Sequence, residues 1–166
     1  MNRKIEFNKP FISNNDKKYV NQVFKNNKYS DGFFQKKCEK FIKNKINSKF
    51  IALTQNCTSA LEISMILINL KSGDEVIMPS YTFTSTANAV LLRGAKPVFA
   101  DIDLRDWCLD PAAIEKLITK KTKAIMPVHL YGQPCNMEKI NKIAKKYNLY
   151  VVEDAAPAIG AKFNGK

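Results

Sequence analysis

The chain has 166 residues, of which 45% are hydrophobic and 25% charged, the balance of a globular domain with a substantial core. Its formal net charge is +12, and no apolar run approaches the roughly 20 residues that cross a bilayer, so no membrane span is expected. Four scattered cysteines (Cys38, Cys57, Cys108, Cys135) form no C-x-x-C pair and meet only one histidine, which argues against a metal site and for reduced, mostly buried thiols.

The charge is uneven. Residues 1–50 hold 13 Lys and Arg against 4 Asp and Glu, whereas the remainder holds 14 against 11. The excess is lysine set among asparagines, the composition of solvated helix faces. A nucleic-acid groove more often interleaves arginine with aromatics, so no nucleic-acid partner is expected. Some of these lysines remain suited to attracting a phosphorylated substrate. The opening MNRKIEFNKPF lacks the apolar core and cleavage site of a secretory signal, and a cytoplasmic address is the expectation.

In chain order, DKKYVNQVFKNN repeats Tyr19, Val20, Val23 and Phe24 at helical spacing, and FFQKKCEKFIKNKI does the same with Phe34, Cys38, Phe41 and Ile42. KYSDG between them reads as a turn. Residues 1–48 are therefore expected to be a helical segment. Beyond Ser48, short apolar runs alternate with helical stretches. FIAL (50–53) predicts a strand, 58–70 a helix, EVIM (75–78) a strand, 83–92 a helix stopped by Gly94, and PVFAD (97–101) a strand. Asp110-Pro111 opens the next helix with an N-cap acid and a first-position proline. AIMPV (124–128), a helix near 137–147 and LYVVED (149–154) complete the series. This alternation predicts an α/β fold, a mostly parallel sheet with helices on both faces, and ligands bound beyond the carboxyl ends of its strands.

The chemistry should therefore sit after FIAL, EVIM, AIMPV and LYVVE. No G-x-G-x-x-G, P-loop or G-x-S-x-G motif is present. NCTSAL (56–61) lies where a helix follows the first apolar run. Ser59 and Glu62 make the S-x-x-E pattern of a capping box, but the same turn offers free N–H groups and hydroxyls to a phosphate, and the two uses are compatible. Asp154 leaves the last strand before Ala155-Ala156. Alone, it reads as the cap of a further helix. Beneath a pyridine ring, its carboxylate would keep the ring nitrogen protonated and make the ring an electron sink.

GDEVIMPSYTFTSTANAVLLRGAKPVFADID, AIMPVHLYGQP and VVEDAA, in this order, resemble the DegT/DnrJ/EryC1/StrS family of sugar-nucleotide aminotransferases, the first block being nearest its dTDP-4-amino-4,6-dideoxygalactose branch. The resemblance implies the N-terminal part of a fold-type I large domain over residues 49–166, with pyridoxal 5'-phosphate as cofactor. Glutamate and a nucleotide-linked 4-keto-6-deoxy sugar would be the substrates of a homodimer. By position, Thr58 and Ser59 match the phosphate-binding turn, Phe83 the aromatic that stacks on the ring, and Asp154 the partner of the pyridine nitrogen. His129 and Tyr131 match a loop near the active site and receive no chemical role. Two departures stand out. Pro157 replaces the family's usual Gln or His, and the Schiff-base lysine motif falls beyond Lys166, so no catalytic residue is assigned and the chain alone is expected to be inactive. A non-catalytic sugar-nucleotide module and a family dehydratase are the alternative expectations.

Overall fold

The computed structural model describes residues 9–30 and 32–165. The reading of the extreme N-terminus, like Asp31 of the KYSDG turn and Lys166, falls outside them. The chain divides into two compact units, Met1–Leu53 and Thr54–Lys166.

The first unit contains both expected helices, α1 (Asn14–Asn26) and α2 (Phe33–Lys45). Ser13 starts α1 through a capping box with Asp16: its hydroxyl accepts the Asp16 N–H, and the Asp16 carboxylate accepts the Ser13 N–H at 2.6 Å. Asn27 ends it in the left-handed conformation at φ 49°. The rings of Tyr19 and Phe34 meet with centroids 5.3 Å apart, so the two apolar stripes do touch. Neither helix buries a residue fully.

The expected strand at FIAL does not form; residues 50–53 carry no ladder, and Phe50 is largely exposed. A strand exists only through a hydrogen-bonded neighbour. No strand is formed by the described residues of the first unit, so an apolar run alone is insufficient.

The second unit is a parallel sheet of order β2-β1-β3-β4, made of β1 (Glu75–Pro79), β2 (Lys96–Ala100), β3 (Thr122–Ile125) and β4 (Tyr150–Val151). Four helices connect or precede these strands: α3 (Cys57–Leu67), α4 (Thr84–Leu91), α5 (Pro111–Leu117) and α6 (Met137–Tyr147). Side chains alternate across a strand, so β1 feeds two cores. Val76 and Met78 join Ala124 and Met126 beneath Leu61 and Met65 of α3 and Ala89 and Val90 of α4. Ile77 and Ile125 face the other way, against Ile114 of α5 and Ile140, Ile143 and Ala144 of α6. Both faces of the sheet are therefore covered, as expected for parallel strands.

Three boundaries differ from the sequence reading for visible reasons. Helix α3 ends at Leu67 because Asn69 turns left-handed at φ 54°. β3 ends as a regular strand at Ile125 because Pro127 has no N–H for the ladder. β4 is short in name, yet its backbone bonds continue: Val152 N–H reaches Ile125 O at 3.0 Å, and Asp154 N–H reaches Pro127 O at 2.9 Å.

Candidate functional site

The strand ends place Asp154 at the floor of a polar cluster. Asp154 pairs with Val128 in an isolated parallel bridge, and its carbonyl accepts the His129 N–H at 3.0 Å. Both flanking peptides of the residue are thus tied to the neighbouring strand. Its side chain is only 4% exposed. A buried carboxylate requires hydrogen-bond donors, and three neutral ones are present. Thr86 Oγ1 donates to Oδ2 at 2.8 Å, Ala156 N–H to Oδ1 at 3.3 Å, and the Cys57 thiol to Oδ1 at 3.6 Å. Burial first, and then the adjacent Asp154 charge, push the Cys57 thiol above its ordinary value.

Cys57 and Thr58 open α3, and Ser85 and Thr86 lie in the first turn of α4. The two helices begin beside one another: Thr58 Oγ1 lies 2.9 Å from Ser85 Oγ. N–H groups of a first turn have no carbonyl one turn back, and both dipole ends are positive, so the shared edge attracts an anion. The cap of α3 is Asn56, whose Oδ1 accepts the Ser59 N–H at 2.8 Å. This corrects the Ser59–Glu62 capping box. The helix starts at Cys57, so Ser59 sits inside the first turn and the residue before the helix takes the capping position. Ser59 Oγ accepts from the Gln55 amide at 3.3 Å.

Phe83 immediately precedes α4 and is 74% exposed, so it is no core residue. The structure therefore brings Thr58 and Asp154 into one cluster through Cys57, Ser85 and Thr86, with Ser59 and Phe83 on the turns that open α3 and α4. Sequence reasoning missed Cys57, Ser85 and Thr86. Their spacing from the strand ends was available, but in a helix of small polar residues nothing in the composition singles them out.

His129 is buried, with Nδ1 accepting the Cys135 N–H at 3.1 Å and Nε2 2.8 Å from Glu153 Oε2. An N–H donated to Nδ1 requires a lone pair there, which puts the proton of a neutral ring on Nε2, facing Glu153. The Tyr131 hydroxyl meets that of Tyr81 at 3.1 Å, and Tyr81 packs edge-on to Trp107 with centroids 5.6 Å apart. Pro157 is exposed and offers its backbone carbonyl towards Gly132, where a Cβ would come within 3.3 Å. No cluster of three metal-ligating side chains exists among the described residues. A separate hollow of about 470 Å³ lies between α5 and α6 and shares none of the Asp154 cluster. On its rim, hydrogen bonds from Arg105 hold the Asp103 carboxyl down to about 2.

The chain as a whole is similar to known proteins. The DegT/DnrJ/EryC1/StrS aminotransferase family matches residues 10–166. The chain belongs to that family. GDP-perosamine synthase of Escherichia coli O157:H7 is 39% identical over 158 residues, covering 95% of this chain and 43% of the relative. The dTDP-3-amino-3,6-dideoxy-alpha-D-galactopyranose transaminase of Aneurinibacillus thermoaerophilus is 48% identical over 119 residues, covering 72% and 33%. The crystal structure of NtdA from Bacillus subtilis, with bound cofactor PMP, superposes with a TM-score of 0.87 at 36% identity, covering 99% of this chain and 40% of that one. The chain thus spans less than half the length of these relatives. Members of the family are pyridoxal-phosphate-dependent aminotransferases, and the first two relatives are named for nucleotide-linked amino sugars, one on GDP and one on dTDP. No helix among the described residues is long and apolar enough to cross a membrane.

Proposed function

We propose that this chain forms the cofactor floor of a pyridoxal-phosphate-dependent aminotransferase that moves an amino group from glutamate to a nucleotide-linked 4-keto-6-deoxy sugar. The observation that carries the reading is the buried Asp154 carboxylate, ringed by neutral donors and joined by hydrogen bonds to the paired starts of α3 and α4. These residues fit the cofactor. An anionic phosphate suits Thr58 and Ser59 at a positive helix end, an aromatic ring suits the exposed Phe83, and a protonated ring nitrogen suits a carboxylate whose donors among the described residues are all neutral. When bound, the cofactor supplies an electron sink for the carbon that gains or loses the amine.

The chain's own residues orient rather than react. Asp154 holds a proton on the ring nitrogen, Thr58 and Ser59 anchor the phosphate, and Phe83 covers one ring face. The donors to the Asp154 carboxylate among the described residues are Cys57, Thr86 and Ala156, none of them a lysine, and residues 1–166 expressed alone are expected to bind the cofactor weakly and not to transaminate. The active protein is a homodimer, and its four unbridged cysteines fit a reducing cytoplasm. A second reading, a dehydratase of the same fold, draws on the similarity to GDP-4-keto-6-deoxymannose-3-dehydratase, with a TM-score of 0.84 at 28% identity. Product analysis separates the two, since amination adds nitrogen to the sugar and dehydration removes a hydroxyl.

Titration of the whole protein with pyridoxamine phosphate tests the floor itself. Asp154→Ala removes a charge-assisted hydrogen bond of about 1.5–3 kcal/mol and should weaken binding at least tenfold. Unchanged affinity would reject the reading.

A further inference from the structure

We infer that Thr86 is the positioning residue that aims the Asp154 carboxylate at its ligand, and that Thr82 is the second link in that relay. This deepens the function proposed above and rests on it. Thr86 Oγ1 lies 2.8 Å from Asp154 Oδ2 and 2.9 Å from Thr82 Oγ1. A carboxylate only accepts hydrogen bonds, so the single Thr86 hydroxyl proton goes to Oδ2. Thr86 must then accept from Thr82. Both bonds acquire a direction: Thr82 gives to Thr86, and Thr86 gives to Asp154.

The backbone prepares this relay. Thr82 lies just outside α4, one residue before the extended N-cap Phe83, and Thr86 lies in the first turn, so the entry of the chain into the helix brings their hydroxyls together. The Thr86 N–H is held by Phe83 O at 3.1 Å. Thr86 is 0% exposed, so water cannot replace its hydroxyl. A carboxylate has about four acceptor positions. Ala156 N–H and the Cys57 thiol take those of Oδ1, and Thr86 takes one on Oδ2. The other position on Oδ2 would be left for the ring N–H of a bound cofactor. Thr86 thereby fixes the rotation of the very oxygen that meets the ligand, which a merely space-filling side chain would not do.

The test follows the ring nitrogen of ¹⁵N-labelled pyridoxamine phosphate bound to the whole protein. Thr86→Val keeps the shape and removes the hydroxyl. The pH at which the ring nitrogen loses its proton should fall by about one unit, a tenfold change in proton affinity, with binding weakened about tenfold. Thr86→Ser should restore both, and Thr86→Cys, a weaker donor, should lie between. Should the valine variant fail to fold, Thr86→Cys and Thr82→Val carry the same comparison, each with a smaller fall. Identical ring-nitrogen titrations across the series, with Asp154→Asn displaced, would overturn the role of Thr86 and leave Asp154 in place. An unmoved titration in Asp154→Asn, or no binding to the unsubstituted protein, would overturn the Asp154 reading and this inference together.

Discussion

At the residue scale, Cys57 shows how one contact governs reactivity. Its thiol is partly accessible, but burial and the Asp154 carboxylate both disfavour the thiolate, the form that reacts. A raised thiol value means less thiolate at any given pH below it, so Cys57 should alkylate more slowly than the exposed Cys38 at pH 8. Asp154→Asn removes the charge and should speed Cys57 several-fold without changing Cys38. Peptide mass spectrometry after timed iodoacetamide treatment reads both rates, and equal rates for the two cysteines would contradict the contact. Residues of this kind set the limit of what could be read from sequence. Asp154 is legible through the VVEDAA block that resembles the family, since an acid leaving a strand reads, alone, as a helix cap. Thr86 and Cys57 are not, because a threonine within a helix and a cysteine beside a cap have ordinary local meanings. Only the meeting of α3, α4 and the last strand gives them a common purpose.

At the scale of single elements, α3 offers a direct comparison between two capping assignments. If Asn56 starts the helix, Asn56→Ala should destabilise the protein by about 1 kcal/mol in urea unfolding, whereas Ser59→Ala should cost less than about half of that. The reverse order would restore the capping box between Ser59 and Glu62. Most elements were legible because their signals are local: Asp110-Pro111 does begin α5, and Asn148 ends α6 in the left-handed conformation. The strands were harder. FIAL and EVIM look alike as apolar runs, yet only EVIM has neighbours on both sides. Strand formation is settled by pairing partners far away in sequence, while a helix satisfies its own backbone. The missed position of the cap has a similar cause, since Asn56 and Ser59 are equally good caps until the first helical residue is known.

At the scale of the whole molecule, the sheet in the second unit divides the interior into two apolar layers that share β1 and β3. Helix α3 and helix α4 anchor the layer beneath the candidate site, so a cavity there reaches the chemistry sooner than one on the opposite face. Met65→Ala, on α3, and Ile140→Ala, on α6, should each cost about 2–5 kcal/mol in urea unfolding. Only the first should also weaken pyridoxamine phosphate binding, and equal effects on binding would mean that the two layers do not act separately.

The backbone of Asp154 is held from two directions, by Pro127 O on its N–H and by the His129 N–H on its carbonyl. Its amide should consequently trade hydrogen for deuterium only when the sheet itself opens, orders of magnitude more slowly than the neighbouring Ala155 amide. The carboxylate is then carried on a part of the chain that stays closed between openings, and the acid reaches its ligand already in place.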